Sequence, residues 1–575
     1  MRAMNAKAGL VFCLSGIGLY GCTALLDLGE NTYLEGATAA SAAASSGNGT
    51  GGAGGGSLGT GGAGTGGSMA DMIVGIRVQS SESVVDLRSA ASDPNTGDIW
   101  LTGSFKGELS FPYTSSVVVL KGNMTTDATP VSLDTMFWAR LDMNGHYLAS
   151  GKIDSTSGAT QGIDIAIDSS GRAVVVGTYF GDASVTIKGK TMPETYFMAC
   201  AGESDIFALV VGSENMATHA YKFGGSGVDK ASAVAIGTEM NTKDWIFIAG
   251  FYEGDFSFPT LASNFPDALD RDGVIFGISL GSTANAPVSR WAVRLSSSGA
   301  NRINDVDVHP AHRQLAIACS CDINPTLNDI VAPKPPTSGG AHPCAALLDP
   351  LNGEVLKNAD GSARFAVGDT LSANPGPGYG LGVAFTKTVL NDDITLVGQY
   401  HRTLSFGISA SSTDGTAGFY DGFAARLPTG NNIFNEANAI FDLGGSPSTG
   451  DSNEDLVSVI NNPFNATYIG GHLPISGTFK AFGASTDLQI NALNAIFVGE
   501  LRFEEAQKPE TRIFTLQGQA TSNRLSQIAW SAKDNSLLAV GNFSNDLNYV
   551  EANTASINIF PYEAQNYGYM IKIKR

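Results

Sequence analysis

The chain has 575 residues, of which 70 are glycine and only 15% are charged. Low charge with abundant Gly, Ser, Thr and Asn suits short strands joined by turns. A formal net charge of −20 argues against a nucleic-acid partner, because phosphate binding needs concentrated Lys and Arg.

Residues 1–21 read as an export signal. Arg2 and Lys7 precede an apolar run over residues 10–20, too short to cross a bilayer as a helix. The run ends in Leu19-Tyr20-Gly21-Cys22, which resembles a bacterial lipoprotein lipobox, a small residue followed by the cysteine acylated after cleavage. Tyr20 departs from the small or β-branched residue usual in that box. The resemblance implies that Cys22 carries palmitate-type acyl chains. With Thr23 rather than Asp next, it implies an anchor in the bacterial outer membrane, on its periplasmic or surface side. Residues 22–70 are then an Ala/Ser stretch followed by a Gly-rich one, which bury too little apolar surface to offset the entropy of ordering them. They are expected to be a disordered tether with an r.m.s. reach on the order of 40 Å.

Residues 71–575 open with an apolar segment, 72–78, and then repeat one motif. It reads Trp100-Leu101-Thr102-Gly103-Ser104-Phe105, Val175-Val176-Gly177-Thr178-Tyr179 and Ile248-Ala249-Gly250-Phe251-Tyr252. It continues at Leu396-Val397-Gly398-Gln399-Tyr400, Ile469-Gly470-Gly471-His472-Leu473 and Ala539-Val540-Gly541-Asn542-Phe543. The glycines recur every 70–74 residues, with one double gap whose midpoint holds Ile317-Ala318-Cys319-Ser320-Cys321. A fixed period implies seven stacked repeats.

The second repeat shows the internal pattern. Residues 163–168 alternate in polarity, residues 173–179 are apolar on both faces, and residues 205–210 and 219–225 supply two more strands. Four antiparallel strands per repeat predict an all-β fold, a seven-bladed β-propeller. The last repeat lacks a fourth strand of its own, so residues 72–78 are expected to complete it outside residues 569–574 and close the ring. The connections between second and third strands are long and variable, over 106–134, 180–204, 253–272, 322–342, 401–420, 474–493 and 544–568. They are expected to share one face and to expose aromatics such as Phe111, Tyr113, Phe258 and Phe265.

Residues 222–231, Lys-Phe-Gly-Gly-Ser-Gly-Val-Asp-Lys-Ala, and residues 166–178, Ala-Ile-Asp-Ser-Ser-Gly-Arg-Ala-Val-Val-Val-Gly-Thr, are similar to the β-propeller repeat family of bacterial exported proteins. That resemblance implies the fold and a surface location, and it implies no reaction.

Chemistry-bearing patterns are sparse. His309-Pro310-Ala311-His312 is the one close histidine pair and reads as a turn after a strand, not a metal site. Asp142-Met143-Asn144-Gly145 lacks the further acidic ligands of a calcium loop and reads as a hairpin turn. Asp229, Asp451, Glu454 and Asp455 lie near repeat junctions and read as solvated loop residues. Once the signal is removed, Cys200, Cys319, Cys321 and Cys344 remain besides Cys22. Cys321 and Cys344 are expected to form a disulfide across a strand pair. No catalytic residue, metal site or cofactor is expected. The expected function is a monomeric, non-enzymatic surface lipoprotein that binds an envelope or extracellular protein or glycan through the long-loop face. The alternative is a hydrolase or lyase with its site at the channel mouth.

Overall fold

The computed structural model describes residues 73–574 except 83, 112–117, 127–128, 188–191, 239–243, 259–264, 284–285, 310–312, 337–338, 370–376 and 388–391. Also outside it are 402, 408, 413–419, 430–433, 435–436, 438, 446–454, 465, 474–476, 482–487, 491–494, 503–509, 518–522 and 552–556. The expected signal peptide, Cys22 and the tether lie outside the described residues. Within them the fold is all-β, a set of antiparallel sheets with no helix.

Each repeat forms a four-stranded meander. The first comprises Val85–Ser92, Ile99–Phe105, Thr135–Leu141 and Tyr147–Lys152, and the second Thr160–Ile167, Ala173–Tyr179, Asp205–Val211 and Ala217–Phe223. The third runs from Lys230–Thr238 to Ala286–Ser296, and the fourth from Arg302–His309 to Phe365–Val367. The fifth begins at Tyr379–Lys387 and the sixth at Asp455–Asn461. In the seventh, Arg524–Ser531, Ser536–Glu551 and Ile557–Lys574 are followed in the sheet by Ile73–Ser80, which pairs Ile73 with Ile573 and Val78 with Gly568. The N-terminal strand therefore lies beside the last one, as its apolar pattern predicts.

The repeated glycine has a single cause. In all seven repeats the first strand carries a one-residue bulge, at Arg88, Ile163, Ser232, Asn304, Leu381, Val457 and Ser526. In six repeats the residue before the bulge pairs with the motif glycine, as Leu87 with Gly103 and Leu525 with Gly541, and in the fourth Ile303 pairs with Cys319. The bulge pushes a backbone carbonyl toward the second strand. A β-carbon on Gly103, Gly177, Gly250, Gly398 or Gly541 would run into the carbonyl oxygen of Asp86, Gln161, Lys230, Tyr379 or Arg524 respectively. On the other side of the glycine the third strand supplies a ring, Phe137, Phe207, Phe423, Phe497 or Tyr569, that covers the bare backbone.

The period-two pattern of the second strands divides between two cores. Val175 faces the first repeat, in a cluster with Trp100, Met136 and Trp138, while Val174 and Val176 face the third repeat with Ile246, Ile248 and Phe276. Equivalent clusters join the third repeat to the fourth, the fourth to the fifth, the fifth to the sixth and the sixth to the seventh. A further cluster packs Leu538, Val540 and Met570 of the seventh against Leu87, Leu101 and Phe137 of the first.

The long second-to-third connections are not irregular loops. Each holds extra strand pairing, such as Glu108–Phe111 with Val118–Lys121, Ala183–Ile187 with Glu194–Met198 and Thr403–Phe406 with Ser409–Ser412. Each also pairs with the end of the preceding repeat. Leu295 meets Leu327, Leu443 meets Ala481, Phe514 meets Glu551, Ser155 meets Ala183, and single bridges join Gly224 to Ser257 and Asp369 to Ser405. Gln79 of the strand that completes the seventh repeat pairs with Ser110 of the first. Hydrogen bonding across strands thus covers backbone edges that a bare loop would leave open.

Candidate functional site

The first strands of successive repeats touch one another, and at five of the seven junctions the residue just after the bulge links them. Ser89 Oγ accepts the backbone N–H of Ile165 at 3.2 Å, Asp164 Oδ2 that of Val234 at 2.8 Å, and Asp305 Oδ2 that of Val383 at 2.8 Å. Ser458 Oγ accepts Ile528 N–H at 3.2 Å, and Gln527 Oε1 accepts Ala90 N–H at 3.0 Å. The register is the same each time: the acceptor follows its bulge by one residue and the donor follows the next bulge by two. Ala233 and Gly382 occupy the two remaining acceptor places and have no side-chain oxygen to offer. The residue after the motif glycine makes a second series, in which Thr178, His472 and Asn542 accept from Ala231, Leu525 and Leu87 at 3.3, 2.8 and 3.0 Å.

Three inner-strand carboxylates stand out electrostatically. Burial pushes Asp164 up against the pull of bonds from Ser89, Val234, Ile165 and Gln527. Burial raises Asp305 well above the carboxylate range, helped by the charges of Asp164 and Asp307, and lifts Asp307 to about 6. All three share one geometry. Oδ1 takes the next backbone N–H of its own strand, and Oδ2 takes an N–H of the following repeat, with Asp307 bound to Phe385 N at 2.8 Å. Elevated carboxyls are what an acid–base enzyme requires. Here the recorded partners are main-chain amides, Ser89 and Gln527, so the arrangement clamps strands together rather than presenting free oxygens to a substrate.

The cysteine expectation needs correcting. Cys344 is bonded to Cys319, with Cα atoms 4.8 Å apart, and Cys321 is a buried free thiol. The register explains this: Cys319 lies directly opposite Cys344, whereas Cys321 lies opposite His342. Cys319 and Cys344 occupy the places that glycine and an aromatic ring hold in five other repeats. Cys200 is a half-buried thiol whose Sγ donates to Gly202 O at 3.4 Å.

The expected loop aromatics are also not exposed. Phe111 is 3% and Phe258 5% exposed, and Phe265 stacks against Tyr252 and meets Phe258 edge-on. Tyr113 lies outside the described residues. The extra pairing in each connection gives these rings a sheet face to pack against. Asp142 spends its carboxylate on its own turn, taking Asn144 N–H and His146 N–H at 2.8 Å each, as a hairpin reading expects. His309 packs edge-on against Phe385, while His312, Asp451 and Glu454 lie outside the described residues. Asp229 is not solvated, being fully buried at a repeat junction.

Sequence reasoning missed Ser89, Asp305, Ser458 and Gln527. A signal existed, since each precedes its motif position by 13 or 14 residues. An isolated polar residue inside an apolar strand has no visible partner until the next repeat is placed beside it. Comparison with protein-family models finds no matching family, and no curated protein is significantly similar to the chain.

Proposed function

We propose that the chain is an exported lipoprotein whose residues 71–575 form a closed seven-bladed β-propeller, akin to the bacterial β-propeller repeat proteins. It is held to the outer membrane by acylated Cys22 and the tether over 22–70, and it binds an envelope or extracellular protein or glycan without catalysis. Closure is supported by three relationships that run from the seventh repeat back to the first: the Gln527–Ala90 bond, the Leu538–Leu101 core and the Gln79–Ser110 pairing. An oxidising address is supported by the Cys319–Cys344 disulfide, since such bonds persist outside the reducing cytosol.

The observation that carries the binding reading is the hairpin built into every second-to-third connection. Seven variable tips on a hydrogen-bonded base form a rigid platform, and variable segments on rigid scaffolds are where recognition concentrates. Phe111 and Phe258 are packed away, while Met124, Val131, Met192, Phe197 and Val331 of these connections are exposed and offer apolar contact beside the polar residues. The hydrolase or lyase reading loses its best candidates because Asp164, Asp305 and Asp307 are committed to neighbouring amides.

The test is capture from envelope fractions by the soluble domain from Met72 onward. A specific protein or glycan should be retained, and shortening the connections over 180–204 and 401–420 should abolish retention. Retention that is indifferent to all seven tips would refute the platform. Turnover of an ester or glycoside that Asp305→Asn abolishes would favour the enzyme.

A further inference from the structure

At three successive junctions a pair of residues lies at one fixed register: the third-strand residue opposite the second residue after the motif glycine, and the residue two before the glycine partner on the following first strand. At the junction between the third and fourth repeats these are Asp272 and Asn301. They are complementary, Asn301 Nδ2 donating to Asp272 Oδ1 at 3.2 Å, with Arg294 Nε on Asp272 Oδ2 at 2.7 Å. Between the first and second repeats they are Thr135 and Thr160, where Thr160 Oγ1 accepts Met136 N–H at 2.9 Å. Between the second and third repeats they are Asp205 and Asp229. Two acceptors meet there.

The site is closed. Asp205 is 2% and Asp229 0% exposed. Asp205 Oδ2 takes Tyr179 O–H at 3.1 Å and Ala201 N–H at 2.8 Å, and Asp229 Oδ2 takes Gly225 N–H at 2.7 Å. Oδ1 of each is buried with no hydrogen-bond partner among the described residues. A β-carbon on Gly224, whose φ is +151°, would collide with both Asp205 Oδ1 and Asp229 Oδ2, so the carboxylates converge over that glycine. The junction is tight around them: Asp229 N–H donates to Ser204 O at 3.0 Å, and Ser204 Oγ donates to Asp229 O at 3.2 Å. The other titratable groups facing the pair are Tyr179, Cys200, Lys222, Tyr252, Glu253 and Asp255. Lys222 is the one cation of that set, and its Nζ reaches Ala199 O at 2.9 Å.

Two buried carboxylates cannot both keep a charge without a counter-charge or a proton. The described residues supply no group of three or more His, Cys, Asp or Glu side chains able to hold a metal. We propose that Asp205 and Asp229 share a single proton at neutral pH, and that this shared proton ties the second repeat to the third. With Asp229 protonated, the pair gains the donor that Asn301 supplies at the neighbouring junction.

Burial, reinforced by the charges of Asp205 and Asp255, lifts Asp229 to about 8, and burial also raises Asp205. An unfolded aspartate titrates near 4. Between those values the folded chain keeps a proton that the unfolded chain has lost, so stability falls as pH rises and levels off above about 8. This sign is opposite to that of a salt-bridged carboxylate.

The experiment is the melting temperature of the exported chain against pH, for wild type, Asp229→Asn and Asp205→Asn. Wild type and Asp229→Asn should melt together near pH 4 and diverge above it, the variant becoming several degrees the more stable by about pH 8. Asp205→Asn, which removes the other charge of the pair, should flatten the same limb. The protonated-carboxyl band in the infrared spectrum at neutral pH, to which buried Asp305 also contributes, should be weaker in Asp229→Asn than in wild type. Parallel melting curves, or a band of the same intensity in both, would overturn the proposal. So would a rise in wild-type melting with calcium that Asp229→Asn lacks, because a bound cation would then supply the counter-charge.

Discussion

The side-chain carbonyl of Gln527 accepts the backbone N–H of Ala90 at 3.0 Å, across 437 residues of chain. Gln527 Nε2 also reaches Asp164 Oδ1 at 3.2 Å, so one side chain of the seventh repeat touches both the first and the second. Nothing local explains a glutamine inside that strand. Its role exists only because the ends of the repeat series meet.

Gln527→Ala leaves the buried N–H of Ala90 unpaired, and a lost bond of this kind costs about 1–3 kcal/mol. A chemical-denaturation midpoint measured on the purified domain should fall accordingly. Unchanged stability would mean that the seventh repeat does not depend on the first.

Deleting residues 72–80 removes Ile76 and Val78 from the core shared by the seventh and first repeats, and exposes the edge of Ile557–Lys574. Melting temperature should drop and aggregation rise, because an unpaired apolar edge recruits other strands. Deleting the tether over 23–68 should leave melting unaltered. Equal effects of the two deletions would contradict closure by the N-terminal strand.

Gly541→Ala places a methyl group against the Arg524 carbonyl and close to the Tyr569 hydroxyl. Neither the bulged backbone nor the buried ring can retreat freely, so overpacking should cost about 1–3 kcal/mol. Gly339→Ala makes a contrasting control, since a β-carbon there would meet only Ile323 Cδ1 at 3.6 Å and that glycine is not in the left-handed region. A thermal shift as small at 541 as at 339 would remove the proposed reason for the motif.

Cys344→Ser breaks a cross-strand bond that closes 25 residues of chain. Chain-entropy reasoning puts the loss at about 3–4 kcal/mol. Non-reducing peptide mapping should recover a Cys319–Cys344 peptide and find Cys321 reactive only after denaturation. A Cys321–Cys344 peptide instead would show that the strand register is shifted.

Cys22→Ala should move the protein from the membrane fraction to the soluble one, as judged by fractionation and by loss of acyl-chain labelling. Partitioning identical to wild type would end the lipoprotein reading.

Much of the architecture is written along the chain, because it depends on period. Alternation at residues 163–168 and the doubly apolar run at 173–179 are properties of a pleated strand between two cores, and the 70–74-residue spacing of the glycines is a property of the repeat. The strand over Ile73–Ser80 was legible for the same reason, as an apolar strand without a hairpin partner of its own. Register and junction chemistry were not legible. Whether Cys344 meets Cys319 or Cys321 turns on the one-to-one register between the second and third strands of the fourth repeat, which spacing alone does not specify. Asp229 reads along the chain as one more acidic loop residue, and only the packing of the third repeat onto the second buries it against Asp205. The physical reason is range. Hydrophobic period acts between near neighbours, while desolvation and hydrogen-bond partnership are set by whatever the rest of the fold brings within about 3 Å.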